Sequence, residues 1–311
     1  MNFKQLETFY WAVKLGSFSS AAQRLNSTQS TISMRIIELE RDLGVELFDR
    51  TQRSARPTAK GRDLLQYAEE ALRLSQEMQQ QIAAEEATPG VLRLGVAEVV
   101  TLTWLPELVR RIHERYPKMT VELDEALTHD LIDNLNQGAL DLVLVSGRVP
   151  GYSVTPVSLG YVEFAWMASP DFKFDGDVLT PKAMQALPVI ALSFKSYHHT
   201  SIEDWFRAGD AFCRRMDTCK SLTVAASLAA AGLGLTLLPP RCFKDEIKKG
   251  LLKIIPTDPP FPPVEFTATS AVESMQAAAP KVARLAAEIS DFDIPKTKKS
   301  VRRRSKPQRQ R

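Results

Sequence analysis

A chain of 311 residues is too long for one compact core and suits two or more domains. Its composition, 44% hydrophobic and 25% charged, is that of a globular protein. No run approaches the roughly 18 uninterrupted apolar residues of a membrane span, and MNFKQLETFY lacks a charged-then-apolar leader pattern, so a cytoplasmic location without a membrane partner is expected. The net charge of +3 is unevenly spread: residues 296–311 carry four Lys and five Arg and no acid, and removing those nine charges leaves −6 for the rest. Residues 1–63 hold ten basic and seven acidic side chains, or +3, so 64–295 carry −9. The basic ends suit a polyanion, and the acidic middle avoids one.

Residues 3–14 read as an amphipathic helix with Phe3, Leu6, Phe9, Tyr10 and Val13 on one side. Phe18, Ala21, Ala22 and Leu25 then form the buried face of a short second helix, and Asn26-Ser27 supplies a turn. From Gln29 to Leu43 the apolar residues Ile32, Ile36, Leu39 and Leu43 fall at spacings of four, three and four. One face therefore packs inward, while Gln29, Ser30, Ser33 and Met34 face away. Thr28 is a good N-cap, and side chains just inside a capped N-terminus are those a recognition helix presents to base edges. The DNA-binding candidates are thus Thr28, Gln29, Ser30, Thr31, Ser33, Met34 and Arg35, with Gln29 the first choice for a base contact. Periodicity alone fits an ordinary amphipathic pair equally well. The stretch Asp49–Pro57 shifts the balance: it holds Arg50, Arg53 and Arg56 and almost nothing to bury, as a wing touching phosphates and the minor groove would.

Thr58 opens a helix expected to reach about Glu86. Leu64, Ala68, Ala71, Ser75, Met78 and Ile82 form a heptad-like seam that asks for a second copy of the chain. Thr88-Pro89-Gly90 marks a domain boundary. Beyond it strands and helices alternate: VLRLGVA, a helix Leu105 to Tyr116, MTVELDEA, a helix His129 to Asn136 and DLVLVSG make βαβ units with a parallel sheet. VEFAWMAS, LPVIALS, helices in Ser201 to Arg207 and SLTVAASLAAAG, LGLTLLP and LLKII make a second unit; VEFTATS and a helix Ala277 to Ile289 close the chain. Crossings near 161–165 and 263–267 make a hinged clamp of two subdomains, 91–162 with 266–293 and 163–265.

Ligands in such sheets bind past the carboxyl ends of the strands. The effector-binding candidates are Glu98, Thr101, Ser146, Arg148, Ser193 and Thr223, and the backbone amides opening the Ser-Leu-Thr-Val helix suit a carboxylate. Glu98 opposes an anion unless a cation neutralises it; it selects an amine, pairs with Arg148 or turns to solvent. His198 and His199 sit in a loop within reach of the crevice, but adjacent loop histidines read more readily as solvated. Cys213, Cys219 and Cys242 form neither a disulfide scaffold nor a zinc site, although Arg214, Arg215 and Lys220 beside the first two would lower a thiol pKa and favour a redox switch. The tail SVRRRSKPQRQR has no apolar pattern and is expected to be disordered, adding nonspecific DNA affinity or nothing. No phosphate loop, HExxH or nucleophile elbow is present, and no enzymatic activity, cofactor or metal is expected.

The strings AAQRLN, ST-x-S-x-I, ELERDLGVELFDRT and PTAKG, with AAAGLGLTLLP further on, resemble the LysR-type transcriptional regulators over roughly residues 2 to 291. The resemblance implies a winged helix-turn-helix (1–60), a dimerising linker helix (61–87) and a two-subdomain effector domain like a periplasmic binding protein (91–293); the basic tail (294–311) is an addition the family does not generally demand. It also implies a dimer or tetramer reading an interrupted inverted repeat in double-stranded DNA under a small-molecule effector, for which a carboxylate is the first candidate, with RNA polymerase as a further candidate partner. Ser30, Met34 and Ile37 stand where the family often has Pro and two basic residues, and Pro57 where Leu is usual. Phosphate grip from the helix is therefore weaker, and the family's half-site does not carry over. Two alternatives stand beside this reading: a redox-sensing regulator acting through Cys213 and Cys219, and an architectural DNA-binding protein without an effector.

Overall fold

The computed structural model describes residues 1–49, 55–82, 90–147, 154–271 and 278–293. Helices α1 (Phe3–Lys14), α2 (Phe18–Arg24) and α3 (Gln29–Leu43) pack around Phe9, Ala21, Ile32 and Leu39, all withdrawn from solvent. Polar side chains set where each begins. Asn2 and Gln5 close a capping box ahead of α1, Ser17 accepts from the Ser20 N–H, and Thr28 accepts from the Thr31 N–H. Asn26 turns the chain between α2 and α3 at φ 47°.

Two positions depart from the sequence pattern. Phe3 is exposed, because the core-facing stripe of α1 begins one turn later at Leu6. Leu43 is exposed as well. The inward position there belongs to Glu40, whose Oε1 accepts from the Leu47 and Phe48 N–H groups (2.7 and 3.3 Å) and ties helix to wing. At the base of the wing Phe48 and Pro57 pair as an antiparallel bridge, and the Asp49 N–H donates to the Arg56 carbonyl. Arg50 and Arg53 lie outside the described residues.

Helix α4 (Ala59–Ile82) follows the Thr58 cap, which accepts from the Gly61 N–H. At 24 residues it is about 36 Å long. The expected seam divides. Ala68 is buried and Leu64 half-buried against the core of α1–α3, joined there by Leu72, so this half finds its cover within its own domain. Of the other half Ser75 is half-buried and Met78 exposed, and Tyr67 and Leu74, which are not part of the expected seam, are exposed beside it. The expected continuation and the domain break, over 83–89, lie outside the described residues.

The rest builds two five-stranded sheets. The first has the order β2 (Met119–Glu125), β1 (Gly90–Val96), β3 (Leu142–Ser146), β10 (Val264–Ala271), β4 (Val154–Val162), with β1 parallel to β2 and β3 and β10 antiparallel to both neighbours. It carries α5 (Glu98–Thr101), α6 (Leu105–Arg115), α7 (Thr128–Asn136) and α12 (Ala279–Ile289). The second runs β7 (Met216–Cys219), β6 (Val189–Leu192), β8 (Leu235–Leu238), β5 (Ala165–Ala168), β9 (Lys253–Ile254), with α8 (Pro181–Met184), α9 (Tyr197–Ala208), α10 (Leu222–Ala230) and α11 (Lys244–Lys248). One body of buried side chains, including Val162, Phe164, Trp166 and Phe266, runs through both sheets. This is the expected α/β effector domain behind a helix-turn-helix.

Three local expectations need correction. VEFAWMAS is not one strand: β4 ends at Val162 and β5 begins at Ala165, so Glu163-Phe164 is the crossing between sheets. Strand β4 was hidden by Pro156 and Gly160, which an edge strand tolerates because it owes no hydrogen bonds on its outer side. The helix expected from Ser201 starts at Tyr197, since Ser196 caps it by accepting from the His198 N–H. His198 and His199 are therefore helical, not looped.

The helix-turn-helix docks on the first sheet. Arg24 of α2 and Asp141, both buried, pair at 2.5 Å, and the Arg24 guanidinium stacks 4.5 Å from the Trp11 ring centroid. The Arg93 N–H donates to the second Asp141 oxygen and its Nη2 to the Arg24 carbonyl, both at 2.9 Å. Gly138, at φ 71°, lies so close to Trp11 that a Cβ would sit 2.3 Å from the ring.

Candidate functional site

Two surfaces bring sequence-predicted residues together. On α3, Thr28, Gln29, Ser30 and Met34 are exposed and Thr31 and Ser33 half-exposed, so the first two turns present a small polar face with an apolar Met34 and, one turn on, an exposed Ile37. Ser19 Oγ–H of α2 donates to Gln29 Oε1 at 2.9 Å and orients the amide. Arg35 is half-buried and directs Nη1 toward Thr8 Oγ1 of α1 at 3.4 Å, beside Glu7, whose carboxyl burial holds above its ordinary range. Arg56 stands at the base of the wing, next to the Phe48–Pro57 bridge.

The second surface is a cleft between the two sheets, enclosing about 70 Å³. Glu98 and Ser146 line it, together with Thr128, His198 and an apolar wall that includes Phe164, Leu192 and Phe266. Ser146 Oγ and Thr128 Oγ1 share a hydrogen bond of 3.0 Å. Thr101, Ser193 and Thr223 are not among the lining residues: the Thr101 hydroxyl is buried without a partner, Ser193 donates its N–H to the Cys219 carbonyl, and Thr223 is engaged by Glu98. Arg148 lies outside the described residues.

Glu98 takes a course that was not among those expected of it. At the end of β1 it reaches across to the start of α10, where Oε1 accepts from the Ser221 hydroxyl (2.8 Å), the Thr223 N–H (3.0 Å) and the Thr223 hydroxyl (2.9 Å), and Oε2 from the Leu222 N–H. The amides expected to hold an effector carboxylate thus hold a carboxylate of the protein itself. A second strap crosses nearby. The His129 N–H and Nδ1 meet the Lys195 carbonyl, and Lys195 Nζ pairs with Asp130 at 2.6 Å, a contact that raises the lysine pKa. His198, expected to be solvated rather than to reach the crevice, forms part of the cleft wall beside Phe164 (5.2 Å between centroids), and burial pushes its pKa down to about 4.

The thiols do not match the redox expectation. Burial raises the pKa of both Cys213 and Cys219, with the Glu98 charge adding to the rise at Cys219, so the neighbouring cations do not make thiolates of them. Arg215 pairs with Asp217, and Arg214 lies over the Phe212 ring. Among the described residues no cluster of His, Cys, Asp or Glu has the makings of a metal site, and no helix is long and apolar enough to cross a membrane.

Family comparison agrees with this architecture at both ends. Residues 3–62 match the model of the bacterial regulatory helix-turn-helix protein, lysR family, and residues 85–291 that of the LysR substrate binding domain. The chain belongs to the LysR family. It is a LysR-type transcriptional regulator, with a helix-turn-helix DNA-binding domain followed by an effector-binding domain, in a family of regulators rather than enzymes. Among its relatives are YofA of Bacillus subtilis (strain 168), 28% identical over 77% of this chain and 81% of that protein, and SoxR of Arthrobacter sp. (strain TE1826), 28% identical over 82% and 85%. Solved LysR regulators share the fold. A full-length OxyR variant from Pseudomonas aeruginosa aligns with a TM-score of 0.69 at 19% identity over 94% of this chain and 96% of that one, and ArgP from Mycobacterium tuberculosis with 0.66 at 21% over 94% and 99%.

Proposed function

We propose that this LysR regulator acts as a dimer or a pair of dimers that reads an interrupted inverted repeat in double-stranded DNA, with a small molecule in the cleft between the two sheets setting the geometry of the paired recognition helices. RNA polymerase is the partner through which a change in DNA geometry would reach transcription. The observation that carries the reading is the exposed, Thr28-capped start of α3, where Gln29 is held by Ser19 and Ser30, Ser33 and Met34 share its face. A capped helix N-terminus with short polar side chains enters a major groove without steric conflict, and Gln reads adenine through a bidentate pair. Met34 and Ile37 add exposed apolar surface suited to thymine methyls. Arg50, Arg53 and Arg56 supply the phosphate contacts that the helix, lacking its family's usual basic residues, gives up.

The cleft supports the second half of the proposal, since Glu98 and the Lys195 strap join the sheets across it. A ligand that fits one separation of the sheets better than another shifts the population toward it. Full-length protein selected against random duplexes should enrich an inverted repeat. On that site Gln29→Ala should cost about 1–3 kcal/mol while leaving affinity for random DNA nearly unchanged; an equal loss on both would remove Gln29 from base reading.

A further inference from the structure

The N-terminus of α10 is a place beside the cleft where backbone dipoles attract an anion, and it is filled from within. Glu98 arrives from the opposite sheet and takes four donors, two backbone N–H groups and two hydroxyls. A carboxylate entering the cleft meets those oxygens rather than the amides behind them, and like charges in a partly desolvated space repel strongly.

What remains of the lining is mainly apolar, with Leu127, Phe164, Leu192, Val264 and Phe266 on its walls, the Ser146–Thr128 hydroxyl pair at one end and Ser196 and Tyr197 beside them. The charged side chains on the rim, Glu125 and Lys220, are opposite in sign and reached by solvent, so water screens each and neither sets a net preference. His198 supplies no cation, being 94% withdrawn from solvent and neutral at pH 7. Its ring nitrogens form no well-aligned hydrogen bond, the Leu237 carbonyl offering only weak support.

We infer that Glu98 is the built-in anion of this cleft and that the effector is an uncharged, mainly apolar small molecule whose one hydrogen-bonding group meets Thr128 and Ser146, carboxylates being refused. This rests on the reading of the cleft as the effector site. The enclosed space is small, about 70 Å³. A small head group fits there, and a larger body leans toward the open side.

Acids and their own amides have nearly the same shape and differ in charge, so butyramide against butyrate and benzamide against benzoate isolate the charge. With the full-length chain, the amides should raise the melting temperature in proportion to concentration and bind at least tenfold tighter than the acids. Glu98→Ala empties the α10 N-terminus and should shift that preference at least tenfold toward the acids. Glu98→Gln, nearly isosteric, should shift it in the same direction and carries the test if the alanine variant does not fold. Acids that stabilise the unaltered chain as well as their amides do would overturn the inference while leaving the cleft an effector site. An amide preference unchanged in both variants would overturn the part given to Glu98. Silence of every probe on all three proteins would overturn the effector reading itself.

Discussion

His198 shows how one side chain can tie the cleft to pH. With a folded pKa of about 4 against an ordinary 6.5, it stays neutral in the fold while the unfolded chain takes up a proton below pH 6.5. Its contribution to stability is therefore fully present above about pH 6.5 and is lost as pH falls toward 4, by about 2 kcal/mol at pH 5. His198→Phe lacks that loss, so the difference in melting temperature between the parent and this variant should move in the variant's favour from pH 7 to pH 5; a constant difference would mean that the imidazole titrates normally. Sequence reasoning placed this residue in a loop. The signal that would have found it is Ser196 as an N-cap ahead of Ile202, Trp205 and Phe206 at helical spacing. Glu98 was legible as a strand-end residue, but Ser221 and Thr223, more than 120 positions away, were not legible as its partners, because spacing along the chain says nothing about what folds against what.

Among the elements, α3 was the most legible, since cap, periodicity and polar face all point one way: Thr28, the Ile32–Ile36–Leu39 stripe and Gln29 are where the pattern put them. Only its last turn departs, where the backbone's need for an acceptor put Glu40 inward in place of Leu43. Helix α4 was half legible. A heptad pattern does not say which partner covers it, and α1 covers the first half. The exposed Tyr67, Leu74 and Met78, at spacings of seven and four, lie on one stripe that the proposed dimer would cover. Leu74→Glu with Met78→Glu should thus convert dimers to monomers in sedimentation and abolish the advantage of a two-half-site duplex over a single half-site. An unchanged sedimentation coefficient would place the interface elsewhere. Edge strands β4 and β7 were illegible for a shared reason: one lies at each sheet's rim, where Pro156, Gly160 or a half-exposed MDTC is tolerated and the alternation of a central strand is not required.

For the molecule as a whole, the two-domain division and the two α/β units were readable from the change of period near residue 90, whereas the joint between DNA-binding and effector domains was not. Arg24 sits inside the AAQRLN string and looks like an ordinary solvated helix residue; it is instead paired with Asp141 under Trp11. Removing Asp141 strands that cation in a dry site. Asp141→Ala should cost about 3–5 kcal/mol in urea unfolding, and Arg24→Met combined with Asp141→Leu, which deletes both charges, should recover most of it. A loss below about 1 kcal/mol for Asp141→Ala would show that the joint is solvated and loose. The joint and the cleft share a strand. Asp141 stands just before β3 and Ser146 ends it, about 17 Å further along at about 3.3 Å per residue. Hydrogen-bonded on both sides in a five-stranded sheet, β3 is a strut of fixed length with the helix-turn-helix bolted to one end and the cleft at the other. If the proposed clamp moves, the helix-turn-helix travels with the first sheet, and the DNA meets that motion as a swing of the second sheet.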